Sequence, residues 1–165
     1  ERLELIEGDM RNFELDAPVA LVMIPFRTFL HNLIEADQLD TLATCHRALL
    51  PGGRLAWNVF NPDLGLIARR MQDGGRRWEP FGRAGRSQGQ HRYQPDSQQV
   101  TTTVRAQTED GVWVRTSFTL RYVHREEMGA LLARSGFTID ALFGGFAGEP
   151  FEETSPEMVW IARAQ

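Results

Sequence analysis

The sequence contains no lysine; all 18 basic residues are arginine. Lysine Schiff-base and lysine general-base chemistry are therefore excluded. There is one cysteine, Cys45. A single thiol rules out an internal disulfide and fits a reducing, cytoplasmic setting. No apolar run approaches the ~20 residues of a membrane helix, and nothing resembles a signal peptide, so no membrane association is expected. The four histidines (His31, His46, His91 and His124) are scattered without ligand-like spacing, which argues against a metal site. A net charge of −4 argues against generic nucleic-acid binding by the whole domain. The chain begins at Glu1, almost inside a strand, and reads as part of a longer protein.

What remains suits one globular domain. A chain of 165 residues with 42% hydrophobic content can build a single core. Leu3 to Glu7 reads as a short strand ending at Gly8-Asp9. Val19 to Ile24 is an unbroken apolar run, the pattern of a parallel strand buried on both faces, and Pro25 ends it. Residues 37–50 form a helix with Leu39, Leu42, Cys45, His46 and Leu49 on one face. Pro51-Gly52-Gly53 stops it, and Leu55, Trp57 and Val59 alternate in the next strand. Strand, helix and strand at short intervals predict an α/β sheet with right-handed crossovers. Ligands in such sheets bind at the carboxyl ends of strands. Gly8-Asp9-Met10, Pro25-Phe26 and Asn58 to Asn61 occupy those ends.

Further along, Leu64 to Met71 reads as a helix and Gly74 to Gln90 as a Gly- and Arg-rich loop. From Val100 the period changes to two, with Asp110-Gly111 as a hairpin turn. Residues 91–123 are thus expected to be an antiparallel β insertion within one domain spanning 1–165. Arg125 to Ser135 is a helix with Met128, Leu131 and Leu132 inward and Gly136 as its left-handed cap. Phe137 to Leu142 and Glu157 to Ala162 supply two closing strands.

Four segments, in this order, resemble the class I S-adenosylmethionine-dependent methyltransferases that act on small molecules. They are Glu7-Gly8-Asp9-Met10, Val19 to Phe26 leading to Phe29-Leu30-His31, Leu49-Leu50-Pro51-Gly52-Gly53-Arg54-Leu55, and Glu126-Glu127-Met128 through Ser135-Gly136-Phe137. The resemblance implies a partial Rossmann-like α/β sheet with strands 3-4-5-7-6. Leu3 to Glu7 would be strand 3, Val19 to Ile24 strand 4, and Arg54 to Phe60 strand 5. Phe137 to Leu142 and Glu157 to Ala162 would be strands 6 and 7. Strands 1 and 2 are absent, and with them the glycine loop and the ribose-binding acid. Without them the Val19–Ile24 run becomes an open edge, to be covered by the missing half or by another chain, such as a second copy.

The resemblance implies S-adenosylmethionine as cofactor and a small-molecule acceptor. It places Asp9 against the adenine amine, with the backbone N–H of Met10 or Arg11 near a ring nitrogen and the Met10 side chain on the ring. The bland reading of Asp9 is a turn-former capping its own backbone. Pro25 and Phe26 would lie beside the sulfonium, with Phe26 offering an aromatic face; otherwise they are a strand terminator and a core aromatic. His31 is a candidate base or a structural histidine. Arg69, Arg70, Arg76, Arg77, Arg83, Arg86 and Arg92, interleaved with Trp78, Phe81 and Tyr93, form an anion-binding candidate or a solvated loop. Methyl transfer from an activated donor can proceed by positioning and desolvation, so no catalytic residue is named. A truncated, non-catalytic domain serving as a dimerisation or binding module is the alternative.

Overall fold

The structure is a computed structural model that describes residues 3–82 and 87–165. In chain order its elements are β1 (Val19–Ile24), α1 (Glu35–Ala48), β2 (Leu49–Phe60), α2 (Leu64–Gln72), β3 (Glu79–Pro80), β4 (Ser87–Gln94), β5 (Gln99–Gln107), β6 (Trp113–Arg121), α3 (Arg125–Arg134), β7 (Phe137–Phe143) and β8 (Glu157–Ala164). Short 3-10 turns occupy Thr28–His31 and Pro95–Ser97. The chain divides into two compact units, one of Glu1–Asn61 with His124–Gln165, the other of Pro62–Val123.

The first unit is built on a four-stranded sheet in the order β1-β2-β8-β7. β1 runs parallel to β2, and β8 is antiparallel to both of its neighbours. Alternation on β2 and β8 turns Leu55, Trp57, Val59, Met158, Trp160 and Ala162 into one buried face. Trp57 and Trp160 are opposite each other and stack at 6.0 Å. Such a pair contributes about 0.5–1.5 kcal/mol beyond its buried area. α1 and α3 touch each other and pack on β2 and β7. From α3 the inward residues are Met128, Leu131 and Leu132, all fully buried. Gly136 closes α3 at φ +80°, where a β-carbon would stand 3.0 Å from His46 Nε2.

α1 shows a rotated inner face. Gln38, Thr41, Leu42, Thr44, Cys45 and Ala48 are its buried residues, while Leu39 and His46 are only half-buried. Apolar spacing alone does not find this face, because three of its members are polar and are buried by hydrogen bonding. The head of β2 carries a bulge. Val19 pairs with Leu49 but Leu21 pairs with Arg54, so Leu50 to Gly53 form an extra loop opposite Ala20. Pro51-Gly52-Gly53 supplies that loop, with Gly52 at φ +76°.

Two expectations for this unit are corrected. Leu3 to Glu7 forms no strand; Leu3 and Leu5 are 86% and 87% exposed. A strand exists only through its ladder, and no described segment pairs with these residues. Val19–Ile24 is a strand but not one buried on both faces. It is the sheet edge, paired only with β2 among the described residues, and Leu21 and Met23 are 50% and 64% exposed.

The second unit holds α2 and a separate antiparallel sheet in the order β3-β4-β5-β6. Asp63 caps α2 by accepting from the Leu66 N–H at 2.8 Å. The sheet starts upstream of residue 91. Glu79–Pro80 and Ser87–Gln90, within the stretch read as a loop, are strand residues paired antiparallel. Their side chains show no apolar alternation; the ladder to β5 holds Ser87–Gln90, which in turn pairs with Glu79–Pro80. Arg105 of β5 lies between Trp78 at 4.1 Å and Trp113 at 5.2 Å, and its guanidinium donates to Gln88 Oε1. No helix among the described residues is long and apolar enough to cross a membrane.

Candidate functional site

The site is built where two chain segments meet at the carboxyl end of β1. The first is the turn at Gly8 to Asn12. Asn12 N–H donates to Asp9 O at 3.1 Å, and Arg11 N–H donates to Asp9 Oδ1 at 2.9 Å. The turn is tied to α1 by two further links. Thr44 Oγ1 donates to Arg11 O at 2.6 Å, and Arg11 Nη1 donates to Asp37 Oδ1 at 3.1 Å. Asn32, buried after the 3-10 turn, donates to Thr41 Oγ1 at 2.9 Å and reaches Met10 Sδ at 3.4 Å. Gln38 donates in turn to Asn32 O at 3.3 Å. The buried polar residues of α1 thus position the Asp9–Met10 turn.

The second segment is the exit of β1. Thr28 donates to Pro25 O through both its N–H, at 3.2 Å, and its hydroxyl, at 2.6 Å. Phe29 and Leu30 are fully buried beneath it. Between the two segments lies a cavity of about 370 Å³. Asp9 and Met10 line it from one side, Val22 to Pro25 from the other, with Phe13 and Cys45 also in its wall. A second cavity, of about 580 Å³, lies across the same turn against His31, Asn32 and Asp37.

Asp9, Met10 and Pro25 therefore share one crevice. Arg11 lines only the second cavity. Phe26 lines neither and is 91% exposed. His31 is exposed at the second cavity. In the arginine-rich stretch, Arg70 pairs with Glu79 and donates to Tyr93 OH at 3.3 Å. Arg83 and Arg86 lie outside the described residues. Trp57 and Trp160 are core; Trp113 is half-exposed on its sheet.

Electrostatically the crevice is dominated by one pair. Side-chain hydrogen bonds from Arg11, then its backbone N–H, hold the Asp9 carboxyl down at about 2. The same bonds to Asp9 and Asp37 raise the Arg11 guanidinium further above its ordinary value. Asp9 is thus a carboxylate under every ordinary condition. Both of its oxygens are already engaged, Oδ1 by Arg11 N and Nε and Oδ2 by Nε and Nη2. Burial pushes the Cys45 thiol up to about 12, so it serves as an apolar wall and not a nucleophile. No cluster of metal-ligating side chains occurs among the described residues.

Sequence reasoning missed the residues that hold the crevice, Thr44, Asn32 and Asp37, and, at the start of β8, Glu157, which binds Arg27 beyond the β1 exit. Their partners lie 22 to 130 positions away. No periodicity in the sequence signalled them, since the apolar face expected for the helix is Leu39, Leu42, Cys45, His46 and Leu49.

The chain has the α/β fold of solved S-adenosylmethionine-dependent methyltransferases. Among solved structures, the CcbJ methyltransferase of Streptomyces caelestis superposes with a TM-score of 0.79 at 19% identity, over 95% of this chain and 62% of that one. An S-adenosylmethionine-dependent methyltransferase of Clostridium acetobutylicum gives 0.76 at 9% identity, over 95% and 63%. CalS10 of Micromonospora echinaspora, an amino pentose methyltransferase bound to S-adenosylmethionine, gives 0.64 at 20%, over 96% and 63%. The chain spans just under two thirds of the length of these structures. No family model and no curated protein matches the sequence.

Proposed function

We propose that this chain is the later part of an S-adenosylmethionine-dependent methyltransferase acting on a small molecule. The carrying observation is the crevice shared by the Asp9–Met10 turn and the β1 exit at Pro25. On this reading β1, β2, β7 and β8 correspond to strands 4, 5, 6 and 7 of the family sheet, and residues 62–123 are an insertion in it. Asp9 and Met10 hold the adenine end, with Arg11 fixing the Asp9 carboxylate from the adjoining cavity, and Pro25 lies at the sulfonium end, with Phe26 next to it in the chain but outside the cavity wall.

The residues present fit the adenine end. An apolar wall of Met10, Phe13, Val22 and Ile24 suits a flat ring, and the fixed negative charge of Asp9 suits an exocyclic amine. An incoming amine shares that carboxylate with Arg11. No glycine loop for the rest of the cofactor occurs in the sequence, so full affinity requires residues beyond this chain. When bound, the cofactor supplies a methyl group already activated by its positive sulfur. The chain's own part is to bind, orient and exclude water. The amino pentose acceptor named for CalS10 makes a sugar amine the first acceptor to try.

The second reading, a non-catalytic module that pairs with another copy, draws on the exposed edge of β1. Calorimetric titration of the full-length protein with S-adenosylmethionine separates the two. Binding that weakens in Asp9→Ala supports the enzyme; absence of any heat removes it.

A further inference from the structure

Among the described residues three non-glycine positions have positive φ, and two of them are consecutive: Phe26 at 59° and Arg27 at 61°. They follow β1 directly. In this region a side chain's first carbon crowds the backbone, so two in succession persist only where the surroundings hold them. The surroundings can be named. The Arg27 guanidinium pairs with the Glu157 carboxylate and lies over the Phe60 ring, 5.5 Å from its centroid. The other Glu157 oxygen accepts from Asn58 Nδ2 at 3.1 Å, and Asn58 is buried. Glu157 is itself fixed by the sheet, as the β8 residue opposite Phe60 of β2. A continuous line of contacts therefore runs from the sheet through Glu157 to Arg27.

What the line supports is the Pro25–Phe26–Arg27 corner. Leu30 N–H donates to Arg27 O at 3.0 Å and Thr28 N–H to Pro25 O at 3.2 Å, continuing the corner into the buried 3-10 turn. Pro25 walls the crevice, while the Phe26 ring stands in water. Left-handed backbone at non-glycine residues gathers at ligand-binding corners, and a ligand at this one would bury the exposed ring.

We propose that Glu157 is a positioning residue: it clamps Arg27, with Asn58 holding its second oxygen, and so presents the Phe26 ring at the mouth of the crevice toward the cationic end of the cofactor. The inference rests on the methyltransferase reading above. The clamp and the reading fail by different measurements.

The test uses Glu157→Ala and Glu157→Gln in the full-length protein, with Asp140→Ala as control, since Asp140 binds Arg54 and Arg163 elsewhere on the sheet. Amide exchange at Thr28 and Leu30, without ligand, reads the clamp. Protection is expected to fall about tenfold in Glu157→Ala, the equivalent of one lost charge-assisted hydrogen bond, and less in Glu157→Gln. The KM for S-adenosylmethionine is expected to rise by about the same factor, with kcat within about twofold and partial rescue by glutamine. Asp140→Ala should move neither. Unchanged exchange at Thr28 and Leu30 overturns the clamp whether or not cofactor binds. Faster exchange with an unchanged KM overturns the positioning role. A wild-type protein that takes no cofactor removes the methyltransferase reading, and with it the role assigned to Phe26.

Discussion

Two adjacent glycines at the head of β2 separate two physical reasons for using glycine. Gly52 has φ +76°, with nothing within 4 Å of where a β-carbon would stand. Gly52→Ala therefore meets only the left-handed backbone penalty, about 1 kcal/mol. Gly53 needs no such conformation, but its β-carbon would stand 2.9 Å from Leu50 O and 3.2 Å from Ala20 O. Both are main-chain atoms, and Ala20 belongs to the neighbouring strand, so neither yields without moving the β1–β2 ladder. Overpacking of this kind costs about 2–3 kcal/mol. At roughly 2–4 °C per kcal/mol for a domain of this size, Gly52→Ala should lower Tm by about 2–4 °C and Gly53→Ala by about 4–12 °C. Thermal unfolding followed by far-ultraviolet circular dichroism reads both, and Gly52→Asn should be milder than Gly52→Ala. If Gly53→Ala proves as mild as Gly52→Ala, the close approach of the two strands is wrong. The register that carries β1 to Pro25 is then wrong with it.

Three other outcomes test the crevice and the edge. Because the Asp9 carboxyl lies at about 2 instead of 3.8, whatever it adds to the turn is fully present above pH 4 and lost as pH falls toward 2; an NMR titration of its carboxyl carbon should show that midpoint, and Arg11→Gln should raise it toward 4. Thr44→Val removes the donor to Arg11 O from a fully buried site and should cost about 1–2 kcal/mol in chemical denaturation, with faster exchange at Asn12; a silent substitution would show that α1 does not hold the turn. Leu21→Lys combined with Met23→Lys should suppress any concentration-dependent association seen by sedimentation velocity, whereas a wild-type protein that is monomeric at every concentration removes the copy-pairing reading.

Periodicity made much of this fold legible before any coordinates. The apolar run at Val19–Ile24, the alternation of Leu55, Trp57 and Val59, and the triad Met128, Leu131 and Leu132 all fall on the elements they implied. It failed where pattern and pairing part company. Leu3 and Leu5 alternate properly, but alternation describes what a ladder would bury, not whether a neighbour exists. Ser87 to Gln94 carries almost no apolar signal and is nonetheless a strand, because β5 lies beside it across eight paired positions. The crevice was half legible. Pro25 follows from the rule that ligands gather at strand ends; Asp9 and Met10 are reached through an expected strand at Leu3 to Glu7 that does not form, and line the crevice from a turn tied to α1 instead. Thr44 on α1, Asn32 after the 3-10 turn and Glu157 on β8 do not follow from that rule, because a polar residue reveals a partner 22 or more positions away only in three dimensions.

The polar inner flank of α1 has a consequence for how this molecule comes apart. An oily helix face can slide, and a loop resting on it slides too without much loss. Gln38, Thr41 and Thr44 instead grip particular backbone and side-chain atoms of the segments above them. A directional grip either holds or lets go. Gentle warming should therefore not blur the crevice gradually; it should vanish in one step when that single helix frays, while the tryptophan-stacked sheet behind it is still standing.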